Sequence, residues 1–232
     1  MSTHIIISGH MRTWATCAHT FRWHVARHLP KPLHFYISTI EDEDFESWKQ
    51  TQLLFPDASV ICDSVKEQPQ LVEPAEPVRF EPYARSVPLQ QVLRQLWQLN
   101  TAWDFYAAQG DAEPLCIVRL RPDLFFHSFS PAYLPAANEA LTPLWGRFGG
   151  VNDRFAILGP LAAKHYFRTY AKLDALQKIG APLHPESLVK GSMQLGGCNV
   201  RDNLLVEFST LRRDGQMRPP EVSAIDMAHA HR

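Results

Sequence analysis

The sequence carries no excess of one charge, no paired cysteines and no long apolar run. Its 23 lysines and arginines stand against 24 aspartates and glutamates, for a formal net charge of −1. Without a global field to draw a polyanion, a dedicated DNA- or RNA-binding role is disfavoured, and any anion site must be local. Cys17, Cys62, Cys116 and Cys198 are scattered, with no CxxC pair. Neither a disulfide framework nor a thiolate zinc site is indicated, and reduced thiols are the default. The opening apolar stretch, Ile5, Ile6 and Ile7, is too short for a signal-peptide core or a membrane span. With no N-x-[ST] sequon either, a cytoplasmic location is the expectation. Glycine is sparse, at 11 residues against 18 prolines. No GxGxxG, Walker or G-x-S-x-G sequence occurs, so the familiar phosphate loops and the serine elbow drop out. His24 and His28 are four residues apart, but Val25 stands where a zincin has glutamate.

What is present is a globular composition, 45% hydrophobic and 20% charged over 232 residues, enough for one sizeable core. The isoleucine run stopped by Ser8 and Gly9 predicts a buried first strand. Trp14, Cys17, Ala18, Phe21 and Val25 recur at helical spacing over residues 12–28, before Pro30 and Pro32. A second strand is expected at 33–39, a helix whose first turn is charged by the acidic residues 41–44, and a third strand at 58–62. Successive strand–helix steps imply an α/β fold: a single-domain, Rossmann-like sheet, mostly parallel and flanked by helices. Residues 63–88, with prolines at 69, 74, 77, 82 and 88, read as an extended loop bordering a site. A helix from 89 to about 110, strands at 115–121, 142–146 and 154–158, and a helix over 160–178 stopped by Gly180 follow. A helix near Pro185 and a strand at 204–211 close a domain spanning 1–213, and 214–232 reads as a loose tail.

Four stretches could carry chemistry. In Ser8-Gly9-His10-Met11-Arg12-Thr13, the glycine permits close backbone approach and the following helix N-terminus offers N–H groups to a phosphate, with Arg12 and Thr13 as further donors. An ordinary strand–helix turn is the competing reading. In Arg119-Leu120-Arg121-Pro122-Asp123, strand alternation puts both arginines and the carboxylate on one face. They would meet a ligand, with Asp123 offering oxygen to Mg²⁺ or Mn²⁺, or form a structural salt bridge. In the run from Trp145 to Ala156, paired glycines before Asn152 and Asp153 would hold Asp153 rigidly as a base, or make a turn satisfying local N–H groups. His184, just before Pro185 and Glu186, would point towards a ligand or metal while Glu186 caps a helix, or both would serve the helix end alone.

The order I-I-I-S-G-H-M-R-T, I-V-R-L-R-P-D, G-G-V-N-D-R-F-A and H-P-E-S-L resembles a family of glycosyltransferase-like proteins similar to the nucleotide-sugar-binding GT-A fold. The resemblance covers roughly residues 4–190. It implies Gly9, Arg12 and Thr13 at the nucleotide and its phosphates, Asp123 at the metal position, Asp153 on the acceptor side, and His184 at a metal or diphosphate. R-P-D supplies one carboxylate where such enzymes carry D-x-D, so Mn²⁺ or Mg²⁺ competes with Arg119 or Arg121 for the leaving diphosphate. The expected activity is transfer of a sugar from a nucleotide-diphosphate donor to a carbohydrate or other hydroxyl acceptor. The alternatives are a catalytically inactive nucleotide- or sugar-binding protein on the same fold, and a hydrolase of a phosphorylated small molecule.

Overall fold

A computed structural model describes residues 2–65, 78–79, 86–130 and 133–219 of the chain, with 78–79 and 86–87 as backbone only. In chain order the elements are β1 (Thr3–Ser8), α1 (Trp14–His24), β2 (Leu33–Ile40), α2 (Lys49–Leu54), β3 (Ser59–Val65), β4 (Val78–Arg79), β5 (Ser86–Val87) and α3 (Leu89–Ala108). They continue with β6 (Cys116–Leu120), β7 (Leu124–Ser130), β8 (Glu139–Pro143), β9 (Phe155–Leu158), α4 (Pro160–Phe167), α5 (Leu173–Lys178), α6 (Pro185–Leu195), β10 (Asn199–Leu211) and β11 (Met217–Arg218).

The fold is α/β, as its composition and periodicity imply, but the sheet is mixed. Its order is β11-β10-β8-β9-β6-β1-β2-β3, with β7 added on β10. The β3-β2-β1-β6 half is parallel, built by the expected strand–helix crossovers. β9 then runs antiparallel to both β6 and β8. β10 is parallel to β8 over its first half and, past a register shift, antiparallel to β7 over its second. The expectation of a mostly parallel sheet therefore holds for one half only. No helix follows β6 or β8: the chain turns at Pro122–Asp123 into β7, which pairs with β10, and residues 144–154 lead from β8 into the antiparallel β9, whereas parallel neighbours need a crossover.

Two apolar layers cover the sheet, as alternation along its buried strands requires. Ile5, Ile7, Phe35, Ile37, Val118 and Leu120 face α1. Ile6, Tyr36 and Ile117 face α3, α4 and α6. The sheet curls so that β7 and the end of β10 close over α1. Phe126 is fully buried there, with ring centroids 5.8 Å from Phe21, 5.2 Å from Phe155 and 5.5 Å from Phe208, and its N–H donates to the Thr20 hydroxyl at 3.0 Å.

Further expectations shift. The strand placed at 142–146 lies at Glu139–Pro143, and the helix over 160–178 is broken at Arg168–Thr169 into α4 and α5. Residues 41–44 precede a 3-10 turn at Phe45–Trp48, with Asp44 at its N-terminal boundary, and that turn leads into α2. Met217 and Arg218 pair with Leu211 and Thr210, so ordered pairing passes Asp214. Within the proline-rich stretch, β4 and β5 form a two-residue antiparallel ladder, while residues 66–77 and 80–85 lie outside the described residues, as do 220–232 of the expected tail. No helix of the described residues is long and apolar enough to cross a membrane.

Phe126→Ala would leave a ring-sized void between α1 and three strands and should cost about 3–5 kcal/mol of unfolding free energy, read by urea denaturation. A cost near that of a surface substitution would show that β7 does not close the core as described.

Candidate ligand cleft at the strand tips

The carboxyl ends of β1 and β6 open on a cleft of about 630 Å³. Ser8, Gly9, His10 and Arg12 enter it from the turn after β1, and Arg119, Arg121, Pro122 and Asp123 from the end of β6. Arg212 and Arg213 come from the end of β10, and Gln91, Arg94, Gln95 and Gln98 form a wall along α3. The amide-bearing wall follows from i, i+4, i+7 spacing on one helix face. Among the described lining residues, six arginines (12, 94, 119, 121, 212 and 213) face one carboxylate, that of Asp123.

Gly9 has φ +131°, and a Cβ on it would lie 3.3 Å from Pro122 Cδ. Its close approach serves the neighbouring strand-end turn. Thr39 ties that turn down by donating to the Gly9 carbonyl at 2.7 Å. Arg12 is exposed and forms no ion pair among the described residues. Thr13 is not on the cleft wall: its hydroxyl donates to the Leu211 carbonyl at 3.3 Å, joining α1 to the end of β10.

Arg119 is 2% exposed. Its guanidinium donates to the carbonyls of Ser8 at 3.2 Å, Leu120 at 2.7 Å and Asp153 at 3.3 Å. Burial lowers its ionisation to about 10, partly offset by Tyr166 and the nearby carboxylates. Arg121 forks onto Asp123, Nε to Oδ1 at 3.0 Å and Nη2 to Oδ2 at 2.5 Å. Although desolvation opposes it, the charges of Asp123 and Asp153 and the Asp123 hydrogen bond hold Arg121 above its ordinary value. Burial pushes the Asp123 carboxyl up, but the charge and hydrogen bonds of Arg121, with Arg154, hold it below its ordinary value. Asp123 thus adopts the salt-bridge alternative. Both of its oxygens are engaged by a guanidinium, and among the described residues no three His, Cys, Asp or Glu side chains cluster as metal ligands. A Mn²⁺ or Mg²⁺ site at Asp123 does not fit this donor set.

Asp153 and His184 lie behind the wall. The Asp153 side chain is 3% exposed, its Oδ1 3.9 Å from Arg154 Nε and without a hydrogen bond among the described residues. Its neighbour Asn152 does the turn work, accepting from the N–H groups of Arg154 at 3.0 Å and Phe155 at 3.1 Å and donating to the Trp145 carbonyl at 3.1 Å. His184 Nδ1 is 2.8 Å from Glu186 Oε2, with the ring against Phe148, and its carbonyl accepts the Leu188 N–H at 2.9 Å at the start of α6. Gly150 permits this packing: a Cβ there would sit 2.1 Å from the Glu186 carbonyl carbon. Burial, then the Asp153 charge, push the Glu186 carboxyl up, against the pull of His184.

The structure therefore brings all four stretches to one end of the sheet, with two on the cleft wall and two beneath it. It also adds residues that sequence reasoning missed. His10 Nδ1 and Asp42 Oδ2 are 2.7 Å apart, and Arg213 pairs with Glu43 and, at 3.2 Å, with Asp44. The signal was there: Asp42-Glu43-Asp44 is itself a D-x-D, at the end of the second strand instead of mid-chain. Searches of family models and of curated proteins gave no match to this chain.

Glu186 titrates above its ordinary 4.5, so its contribution to stability is present below that pH and is lost as pH rises through the raised value. Glu186→Gln should raise Tm near neutral pH and give no gain near pH 4, as checked by thermal melts across about pH 4–8. A loss of Tm near neutral pH that vanished towards pH 4 would mean that the ionised carboxylate is stabilising where it sits.

Proposed function

We propose that the cleft binds the diphosphate of a nucleotide-sugar and that the chain is a glycosyltransferase. The supporting observation is the excess of arginine over carboxylate at the tips of parallel strands, where α/β sheets bind ligands. The cleft lies within the size range of small-molecule sites. Arg212 supports an anionic occupant: burial and then the charges of Arg218, Arg121 and Arg154 lower its ionisation, a crowding that an incoming phosphate would relieve. α3 begins beside the cleft without a side-chain cap, adding the positive end of a 20-residue helix.

In this reading the departing diphosphate is neutralised by preplaced guanidinium groups. Arg12 and Arg212 are the exposed donors, Arg121 comes into play when a phosphate oxygen competes with Asp123, and Gly9 lets the backbone of the first turn approach. The carboxamides of Gln91, Gln95 and Gln98, each both donor and acceptor, suit sugar hydroxyls on the opposite wall. The GT-A-like character of the fold belongs to this proposal and rests on the motif order and on the parallel β3-β2-β1-β6 half.

Calorimetry with UDP-, GDP-, ADP- and CMP-sugars should show binding of at least one, undiminished by a chelator. Arg12→Ala and Arg212→Ala should each weaken it about 10–100-fold, the worth of a hydrogen bond to a charged group. No heat with any nucleotide would overturn the proposal. Binding with donor consumption only when acceptor is present supports transfer, whereas consumption alone identifies a hydrolase and binding without turnover a binding module.

A further inference from the structure

With Asp153 behind the wall and Asp123 held by Arg121, neither aspartate is placed to take the proton of an attacking hydroxyl. One other proton acceptor on the described wall is built for that task. His10 follows Gly9 at the tip of β1, half-buried on the cleft wall. Asp42, from the loop after β2, approaches its Nδ1 at 2.7 Å. A carboxylate at Nδ1 makes that nitrogen the N–H donor and leaves the lone pair on Nε2, which has no partner among the described residues. The carboxylate is itself immobilised. Its Oδ1 accepts the Asp44 N–H at 3.0 Å, and Arg213 fastens the same loop to the end of β10 through Glu43 and Asp44.

We propose that His10 is the general base of the transfer and Asp42 its positioning residue, a role that rests on the nucleotide-sugar reading of the cleft. Nε2 takes the acceptor hydroxyl proton as that oxygen bonds to the anomeric carbon. The bond from that carbon to the diphosphate oxygen breaks, and its electron pair leaves with the diphosphate. Asp42 stabilises the imidazolium until the proton passes to solvent. The other charged groups around this wall among the described residues are Arg12 in the same turn, the buried Arg119, the Arg121–Asp123 fork, Arg212, Arg94 on α3, and Arg213 with Glu43 and Asp44.

Two measurements on the full chain test this. Diethyl pyrocarbonate should acylate His10, read by peptide mass spectrometry, and a bound nucleotide-sugar should protect it. Release of nucleoside diphosphate should fall about 10²–10⁴-fold in His10→Gln, with donor affinity by calorimetry unchanged. Asp42→Asn should lower the rate less and displace the acid limb of the pH–rate profile, a readout that loss of packing alone would not move. His10→Asn serves as the second variant if His10→Gln melts early. Retained turnover in both His10 variants, or a fall in donor affinity matching the fall in rate, overturns the base role while leaving the donor site standing. Failure of the unaltered chain to bind any nucleotide-sugar removes the reading beneath it, and the base role with it.

Discussion

A guanidinium taken out of water must find acceptors for its donors, and Arg119 finds them in the carbonyls of Ser8, Leu120 and Asp153. Those three groups belong to the end of β1, the end of β6 and the loop that enters β9. One side chain therefore fixes the relative height of three chain segments that meet at the sheet's edge. Arg121 extends the same arrangement one turn outward, with the Arg154 carbonyl accepting its backbone N–H at 3.1 Å and Asp123 holding its side chain. The floor of the cleft is rigid because its charges are also its structural ties.

The same constraint explains how a chain of nearly balanced charge presents a cationic surface. Carboxylates at this end of the molecule are consumed internally: Asp123 by Arg121, Asp42 by His10, Glu43 and Asp44 by Arg213, with Asp153 and Glu186 buried beneath. The charges of this buried pair favour the protonated Arg121 from behind the wall. Arg12 and Arg212 are left to face the opening. Such a distribution favours ligands with concentrated negative charge over extended polyanions, since the field is confined to a concave site.

The cleft also joins two kinds of wall. Strand tips and their turns carry charge and the imidazole, while a single helix carries carboxamides at regular spacing. The division follows from secondary structure: strand ends converge on a point, whereas a helix lays side chains out along a line of about 1.5 Å per residue. A phosphate needs the first arrangement and a polyhydroxylated group the second.

Most of the parallel half of the fold was legible along the chain. Ile5–Ile7 and the residues of β2 declared themselves as buried strands, the Trp14-to-Val25 stripe as a helix, and Leu89 to Trp103 as another, because periods of two and of 3.6 are local properties of a segment. A salt bridge between an arginine and Asp123 was legible too, as one of two outcomes, because these residues are near in sequence, whereas its falling to Arg121 and not Arg119 came with the end of β6 at Leu120. What local pattern left undetermined was strand direction, the course of β7 and β10, and the side of the wall on which each carboxylate falls. Asp153 is buried because α6 and Glu186 pack behind it, and Asp42 meets His10 because β1 and β2 are neighbours in parallel register. By itself the chain specified which segments are strands and helices and which residue types crowd the ends of the first and central strands. Only the folded sheet decided which of those charges neutralise one another and which face the cleft, since that depends on contacts between residues tens of positions apart.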